Sequence, residues 1–396
     1  MRYPLAILAL CLGVGAVGCS DHSSHETPGD AGHHDASKTD ASRSDGGTGA
    51  DGAVTDAGGG ADARCEDAAV NFPDGCALGA MCEPVDLSCT GLYSDWASKT
   101  ISPKMHEYDP GLHLWSDGAD KTRWISLPEG KPIDTSDMDE WTFPTNTKIF
   151  KQFVLEGQLV ETRMLWKLGD TAGWYATTYH WSADQTKAPE LTTGLVNADG
   201  HGFDIPDQTD CYSCHYGRLD DVLGFEAVAL STPNAALALT TPTLAPLTLE
   251  GLVDAGWITQ APPAPLVIPG GPTATAALGY LHINCGVPCH NSGSGEAQVT
   301  GFLMRLDVAT LGSVASTNAV MTGVNQVSGF EIPGETKSYL LDPGNVAESA
   351  AAYRMSVRDG VDDAGTNAQM PPIATNKVDD AGLAAVTKWI EAGCGD

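Results

Sequence analysis

Cysteine constrains this chain more than any other residue type, because the bonds that thiols form fix which segments lie together. Four of the 11 cysteines cluster near residue 80 without a histidine at ligand spacing, which predicts two disulfides in a loop-rich segment at 65–93. A zinc site of four thiolates is the alternative. The cluster comprises Cys65, Cys76, Cys82 and Cys89. Beyond it the chain carries an odd number of further cysteines, namely Cys211, Cys214, Cys285, Cys289 and Cys394.

The N-terminus has the pattern of an export signal. In "MRYPLAILALCLGVGAVGC" a positively charged Arg2 precedes an apolar run and then small residues. The run is too short to predict a membrane span. Its end resembles a bacterial lipobox, which implies a signal peptide at 1–18 and lipidation of Cys19, with ordinary secretion as the alternative. We therefore expect an exported protein in the periplasm or at the outer membrane or cell surface, where disulfides form.

Residues 19–64 are rich in Asp, Ala and Gly and contain no aromatic residue, which predicts a disordered tether. The histidines in this stretch are better explained as solvated than as metal ligands. The net charge of the whole chain is -30, which argues against nucleic acid and anionic membrane surfaces as partners. It favours a basic partner protein, while the acyl group at Cys19 would provide the contact with lipid.

Residues 94–232 predict a β-rich domain. Stretches such as "KIFKQFVLEGQLVETRMLWKL" and "GWYATTYHWSAD" alternate apolar and polar residues, as half-buried antiparallel strands do. We expect a sandwich-like or barrel-like domain. The stretch at 233–271 is rich in proline and predicts an extended connector to a further domain at 272–396.

One motif in the β-rich domain indicates a covalently bound cofactor. Cys211, Cys214 and His215 have the Cys-x-x-Cys-His spacing at which two thiols attach haem c and the histidine ligates its iron. A disulfide followed by a chance histidine is one alternative. A zinc site is another, although it needs two more ligands. Candidates for the sixth iron ligand are His180, His201 and Met164, each of which could equally be a surface or core residue.

A second motif has one residue more. "NCGVPCHN" places Cys285, Cys289 and His290 at Cys-x-x-x-Cys-His spacing, with Pro288 in the loop. A looped extra residue could still let both sulfurs reach a second haem. Alternatively Cys285 pairs with Cys394, which leaves Cys289 and His290 for one thioether bond or for no haem.

Several stretches carry a resemblance to known proteins. "LWSDGADKTRWISLPEGKPI", "ETRMLWK" and "IPDQTDCYSCH" resemble a largely uncharacterised family of secreted bacterial proteins with c-type cytochrome features. The similarity extends from about Leu112 to the C-terminus, and it implies haem and export more firmly than any reaction.

The C-terminal part resembles a mono-haem cytochrome c module. "SYLLDPGNVAESAAAYRMSVR" and "NAQMPPIATNKVDDAGLAAVTKWIEAG" are the matching stretches, and they imply that Met370 faces the iron, with Met355 as a packing residue. Asp379 is expected to cap a last helix with one apolar face, and residues 296–335 look like a β-rich insertion. The residues of that apolar face are Leu383, Val386, Trp389 and Ile390.

The fold class expected from these observations is α+β and multidomain. A β-rich domain precedes a mainly helical, cytochrome c-like domain with a β insertion. The expected function is electron transfer through one or two covalent haems, in exchange with a redox partner protein. A di-haem enzyme such as a peroxidase and a haemless, disulfide-stabilised binding lipoprotein are the alternatives. No serine triad, phosphate loop or dinucleotide fingerprint is present in the sequence.

Overall fold

A computed structural model describes residues 72, 75–169, 173–231, 247–293, 296–358 and 366–396. These residues belong to one compact unit, Ala57–Asp396. The signal peptide at 1–18, the lipidation site Cys19, the tether at 19–64 and Cys65 lie outside the described residues. None of the described helices is long and apolar enough to cross a membrane.

Among the described residues, seven antiparallel strands form two sheets. A two-stranded sheet pairs β1 with β2, and a five-stranded sheet contains β3 to β7 in the order of the sequence. Glu156 and Gly157 form the two-residue turn between β5 and β6, and both have positive φ as a tight hairpin of this length requires. The strands are β1 (Tyr93–Asp95), β2 (Thr100–Ile101), β3 (His106–Tyr108), β4 (Asp120–Ser126), β5 (Lys148–Leu155), β6 (Gln158–Gly169) and β7 (Gly173–His180).

Both faces of the five-stranded sheet are covered. On one face, Phe150 and Met164 pack with Leu87 and Leu92 of the N-terminal cysteine-rich segment. On the other face, the core around Ile149 is completed by residues that follow the sheet in the chain. Coverage on both sides explains why β5 and β7 are almost continuously buried instead of alternating with exposed residues.

The helices follow the sheet in the sequence. The α-helices are α1 (Gln208–His215), α2 (Ala227–Leu230), α3 (Leu249–Asp254), α4 (Pro272–Leu281), α5 (Asn318–Gly323), α6 (Ala350–Ser356) and α7 (Asp380–Glu391). α4 continues directly into a π-helix at His282–Gly286 and packs against α7, where Gly382 leaves room for the ring of Tyr280. A Cβ at Gly382 would lie 2.0 Å from that ring, so only glycine allows this approach.

The predicted last helix is confirmed. The Asp379 carboxylate accepts the N–H of Gly382 at 3.0 Å and caps α7. Val386, Trp389 and Ile390 are fully buried, as the helical spacing of apolar residues predicts.

The α+β class is also confirmed, but two details of the prediction are wrong. The large sheet is a single antiparallel meander with β3 and β7 at its edges, and loops and helices supply the layers that a second sheet would supply in a sandwich. The stretch at 296–335 contains no strand among its described residues. Its elements are the 3₁₀ turns Glu296–Thr300, Val308–Thr310 and Val314–Ser316, and α5.

The cysteine-rich segment contains the expected disulfide chemistry. Cys76 and Cys89 form a disulfide that closes a loop with a sequence separation of 13. Cys82 is disulfide-bonded as well. Because these thiols are bonded to sulfur, the alternative of a four-thiolate zinc site does not apply.

Candidate functional site

The first motif lies on α1, which begins with a capping box. The carboxylate of Asp207 accepts the N–H groups of Thr209 and Asp210 at 2.7 and 2.9 Å, and the Asp210 carboxylate accepts the N–H of Asp207 at 3.2 Å. This arrangement fixes the first turn of an eight-residue helix that has no fully buried residue of its own. Cys211 and Cys214 lie three residues apart and therefore face the same side of α1.

A π-helix accommodates the extra residue of the second motif. The N–H of Val287 bonds to the carbonyl of His282 at 2.7 Å, and that of His290 bonds to the carbonyl of Cys285 at 2.8 Å. Each bond spans five residues, one more than in an α-helix, so the wider turn accommodates the longer spacing between Cys285 and Cys289. The local backbone therefore offers a physical reason why a Cys-x-x-x-Cys-His motif can present its thiols on one side.

The two motifs are in direct contact. A Cβ at Gly217, just after the first motif, would lie 2.5 Å from the carbonyl oxygen of Pro288 in the second. A Cβ at Gly293 would lie 2.4 Å from the carbonyl oxygen of Gly217. Main chain therefore packs on main chain here, and the thiol of Cys214 forms a hydrogen bond with that of Cys289. Segments about 70 residues apart in sequence form a single site.

A cavity of about 920 Å³ lies at this contact. Its volume is at the upper end of the range of about 300 to 1,000 Å³ that is typical of ligand sites in proteins. Apolar side chains from the sheet and the helices dominate its wall. All of the cysteines, histidines and methionine predicted to hold haem line it: Cys211, Cys214, His215, Cys285, Cys289, His290 and Met370.

Backbone carbonyls orient both motif histidines in the same way. Nδ1 of His215 is hydrogen-bonded to the carbonyl of Asp221, and Nδ1 of His290 to that of Phe302 at 2.9 Å. Since a carbonyl only accepts, each Nδ1 carries the proton and each Nε2 keeps its lone pair. Histidines that ligate metals commonly have this arrangement, because the outer hydrogen bond fixes the tautomer and the ring orientation.

Burial keeps these imidazoles neutral. It lowers the pKa of His215 to about 3, with a further contribution from the cations of Lys151 and Arg163, and it lowers the pKa of His290. Burial also raises the pKa of the Cys285 thiol to about 12. The pKa of Cys214 is instead lowered, because the hydrogen bond with the Cys289 thiol stabilises its thiolate. At neutral pH both histidines are in the form that binds a metal ion.

Residues 302–306 form an extended segment that wraps the second motif. The N–H of Met304 bonds to the carbonyl of His290 at 2.8 Å, and that of Leu306 bonds to Nδ1 of His282 at 3.0 Å. The N–H of Leu303 bonds to the Thr322 hydroxyl at 2.9 Å. These partners take the place of a neighbouring strand, which is the physical reason why the predicted β insertion contains no strand among its described residues.

A buried hydrogen bond between a histidine and a carboxylate supports the same motif. Because Nδ1 of His282 accepts a backbone N–H, its Nε2 carries the proton and donates it to the Glu226 carboxylate at 3.1 Å. Burial disfavours the charged carboxylate, but the His282 ring, Arg218 and backbone N–H groups outweigh it and lower the pKa of Glu226 to about 2. Neither Glu226 nor His282 was predicted from the sequence, in which nothing marks them as partners.

The distinctive "LWSDG" stretch joins the parts of the site. The N–H of Trp115 bonds to the side-chain oxygen of Asn284 at 2.6 Å, immediately before Cys285. The Asp117 carboxylate accepts the N–H groups of Asn376 and Lys377 at 2.7 and 3.1 Å, in the loop that follows Met370. This stretch therefore fixes the second motif and the Met370 loop to the start of the sheet.

Met370 is half-buried, and its N–H bonds to the carbonyl of Arg354 at 2.9 Å. The competing Met355 is buried on α6, where it packs in the core and also lines the cavity. Cys394 is a buried thiol and Cys285 is likewise not in a disulfide, so the structure does not contain the alternative bond between them.

Of the three other predicted ligands, the two histidines lie away from the cavity. His180 is 3.2 Å from the Asp199 carboxylate and His201 is 3.6 Å from that of Glu156, and neither histidine lines the cavity. Met164 borders the cavity, but its side chain is buried in the core on the opposite face of the sheet. Within the part of the chain that the structure describes, no three His, Cys, Asp or Glu residues converge as a self-contained metal site.

Comparison of the chain with known protein families, with curated proteins and with solved structures found no match. The resemblance to secreted cytochrome-like proteins therefore remains a prediction that rests on the quoted motifs.

Proposed function

We propose that this protein is an exported electron-transfer protein of the c-type cytochrome kind, with haem attached at each of its two cysteine–histidine motifs. The observation that carries the proposal is the convergence of both motifs on one largely apolar cavity with the two Nε2 lone pairs fixed by backbone carbonyls. Neither a chance histidine nor a simple CxxC disulfide accounts for this paired arrangement.

The residues fit the cofactor in kind and in place. Cys211 and Cys214 would attach one haem, with His215 as its axial ligand. Cys285 and Cys289 would attach the other, with His290 and Met370 as ligands. When bound, haem supplies an iron that takes up and releases one electron, and a thioether ligand raises its potential relative to a second histidine.

Residues of the chain would orient the iron ligands and surround the cofactors. Phe302 and Asp221 hold the imidazole rings through their carbonyls, and the wall of the cavity around them is largely apolar. The direct contact between the motifs would place both cofactors within one chamber, which favours exchange of electrons between them. The net charge of -30 supports a basic redox partner protein, and the N-terminal sequence supports attachment to a membrane through an acyl group at Cys19.

Intact mass and a pyridine haemochrome spectrum of protein made with a haem-attachment system test this proposal. Two haem increments are expected in the wild type and one in the double variant Cys211→Ala with Cys214→Ala. The double variant Cys285→Ala with Cys289→Ala should also retain one. An unmodified mass for the wild type would refute the proposal.

A haemless protein with a structural disulfide is the second candidate, because the thiols of Cys214 and Cys289 are already in contact. In that case the exported protein would contain a bond between the two motifs instead of haem. Peptide mapping without reduction separates the candidates, since only the haemless protein would yield a linked pair of peptides containing residues 214 and 289.

A further inference from the structure

Three basic side chains lie side by side on the wall of the cavity. In the five-stranded sheet, Arg123 of β4 is directly opposite Lys151 of β5, which is directly opposite Arg163 of β6. All three line the cavity, as does Lys121, two residues before Arg123 on the same face of β4. Like charges directly opposite each other destabilise a sheet, and burial adds to the cost. We call these four residues the basic row.

Acidic residues compensate only half of the basic row. Arg123 is 3.2 Å from the Asp109 carboxylate, and Arg163 forms a bidentate pair with Glu161 at 2.5 and 2.9 Å. Nζ of Lys151 instead donates to the carbonyl of Leu223 at 3.3 Å, and Nζ of Lys121 donates to the carbonyl of Leu114. Among the described residues, neither lysine of the basic row has a carboxylate within ion-pair distance, although the overall net charge of the protein is -30.

A bound anion would stabilise the charged forms of the two lysines in the basic row. Burial, together with the neighbouring cations, lowers the pKa of Lys151 to about 7 and lowers that of Lys121 well below its usual value. A carboxylate placed beside either amine would favour its charged form. Binding of an anionic group in the cavity would therefore offset the unfavourable burial of these two lysines.

We propose that the basic row binds the carboxylate groups of a ligand with a large apolar body. The cations select the carboxylates, and the otherwise apolar wall suits the body of the ligand. A porphyrin with its two propionates has this chemistry, and so does a free organic acid. The inference rests on the proposed function in so far as the porphyrin is the one that the cysteines attach. Its test does not require the covalent bonds.

The first experiment uses the full mature chain produced without haem attachment. Tryptophan fluorescence quenching measures the binding of metal-free protoporphyrin IX and of its dimethyl ester, which has no carboxylates. The diacid is expected to bind at least about tenfold more tightly than the ester, since charge-assisted hydrogen bonds contribute about 1.5 to 3 kcal/mol. Equal affinities for diacid and ester would overturn the inference.

Variants then locate the effect. Lys151→Met should weaken binding of the diacid by about 10-fold to 100-fold and leave that of the ester unchanged. Lys148→Met is the matched control, because Lys148 lies three residues earlier on the same strand, on the other face, where it bonds to the carbonyl of Thr90 at 3.1 Å. Circular dichroism checks folding, and Lys121→Met serves as the second variant. An equal loss in Lys148→Met and in the row variants would contradict the proposed location.

A second experiment distinguishes the two sources of carboxylate. Pyrenebutyric acid and pyrenebutanol are titrated into haem-loaded and unloaded protein. Binding of the acid to unloaded protein alone means that propionates occupy the row in the loaded form, whereas binding to both forms assigns the row to a free organic acid. Preference for the acid in neither form refutes the inference. A chain that lacks covalent haem but prefers acid over alcohol would keep this inference and refute the proposed function.

Discussion

The contact between the two motifs yields the most direct structural prediction. Gly217→Ala places a Cβ 2.5 Å from the carbonyl oxygen of Pro288, where ordinary contacts begin at 3.4 Å. One main chain must therefore withdraw from the other by about 0.9 Å, and overpacking of this kind costs about 1 to 3 kcal/mol. The withdrawal would also separate the thiols of Cys214 and Cys289, which are hydrogen-bonded in the structure.

Two assays measure these effects in unloaded protein. Thermal unfolding should give a melting temperature lower by roughly 1 to 2 °C for each kcal/mol lost, because the cooperative unit is large. Oxidation with diamide, followed by peptide mapping, should yield less of the disulfide between residues 214 and 289 than in the wild type.

Gly312→Ala is the matched control for this prediction. Gly312 is exposed, a Cβ added there would meet no atom within 4 Å, and its backbone does not require positive φ. The same chemical change there should alter stability by less than about 1 kcal/mol and leave the cross-link unchanged. If Gly217→Ala and Gly312→Ala behave alike in both assays, the close packing of the two motifs is refuted.

Three further predictions concern separate parts of the molecule. Met370→Ala should leave haem covalently attached and lower its reduction potential. Met355→Ala should instead lower stability by roughly 2 to 5 kcal/mol without a change in the haem spectrum. Equal haem spectra for both variants would exclude Met370 as a ligand. Because the pKa of Glu226 falls from 4.5 to about 2 on folding, its charge stabilises the protein fully above pH 4.5, and this contribution declines as the pH falls toward 2. Urea unfolding of the wild type should therefore lose about 2 kcal/mol more between pH 5 and 3 than that of Glu226→Gln, and parallel curves would refute the assignment. Replacing both Cys76 and Cys89 by alanine should cost about 3 kcal/mol while haem spectra stay unchanged, and a changed spectrum would show that this disulfide shapes the cavity.

Features with a local signature were predictable from the sequence. Alternation in "KIFKQFVL" and "GWYATTYH" predicted strands where β5 and β7 lie, and helical spacing after Asp379 predicted α7. The spacing of cysteine and histidine selected residues that the fold does bring to one cavity. In each case the pattern and its cause lie within about a dozen residues of each other.

Features that depend on distant partners were not predictable. Residues 296–335 were predicted to be a β-rich insertion, because nothing local reveals that the hydrogen-bond partners near Phe302 are His282 and His290 instead of a strand. The basic row is equally hidden, since Arg123 and Arg163 become neighbours of Lys151 only through strand register. The π-helix at His282–Gly286 has no established single-sequence signature, although the extra residue of the second motif could have suggested it.

Through main-chain groups alone, the extended segment at 302–306 contacts Nδ1 of His282, Nδ1 of His290 and the carbonyl of His290. Phe302 contributes a carbonyl, and Met304 and Leu306 contribute N–H groups. Every amino acid except proline supplies the same groups, so the orientation of His290 is insulated from most point mutations in this segment. Insertions and deletions would disrupt these hydrogen bonds, because a shift of one residue moves each donor and acceptor out of place. Among divergent chains with this architecture, the number of residues between the second motif and this segment should therefore vary far less than their identity.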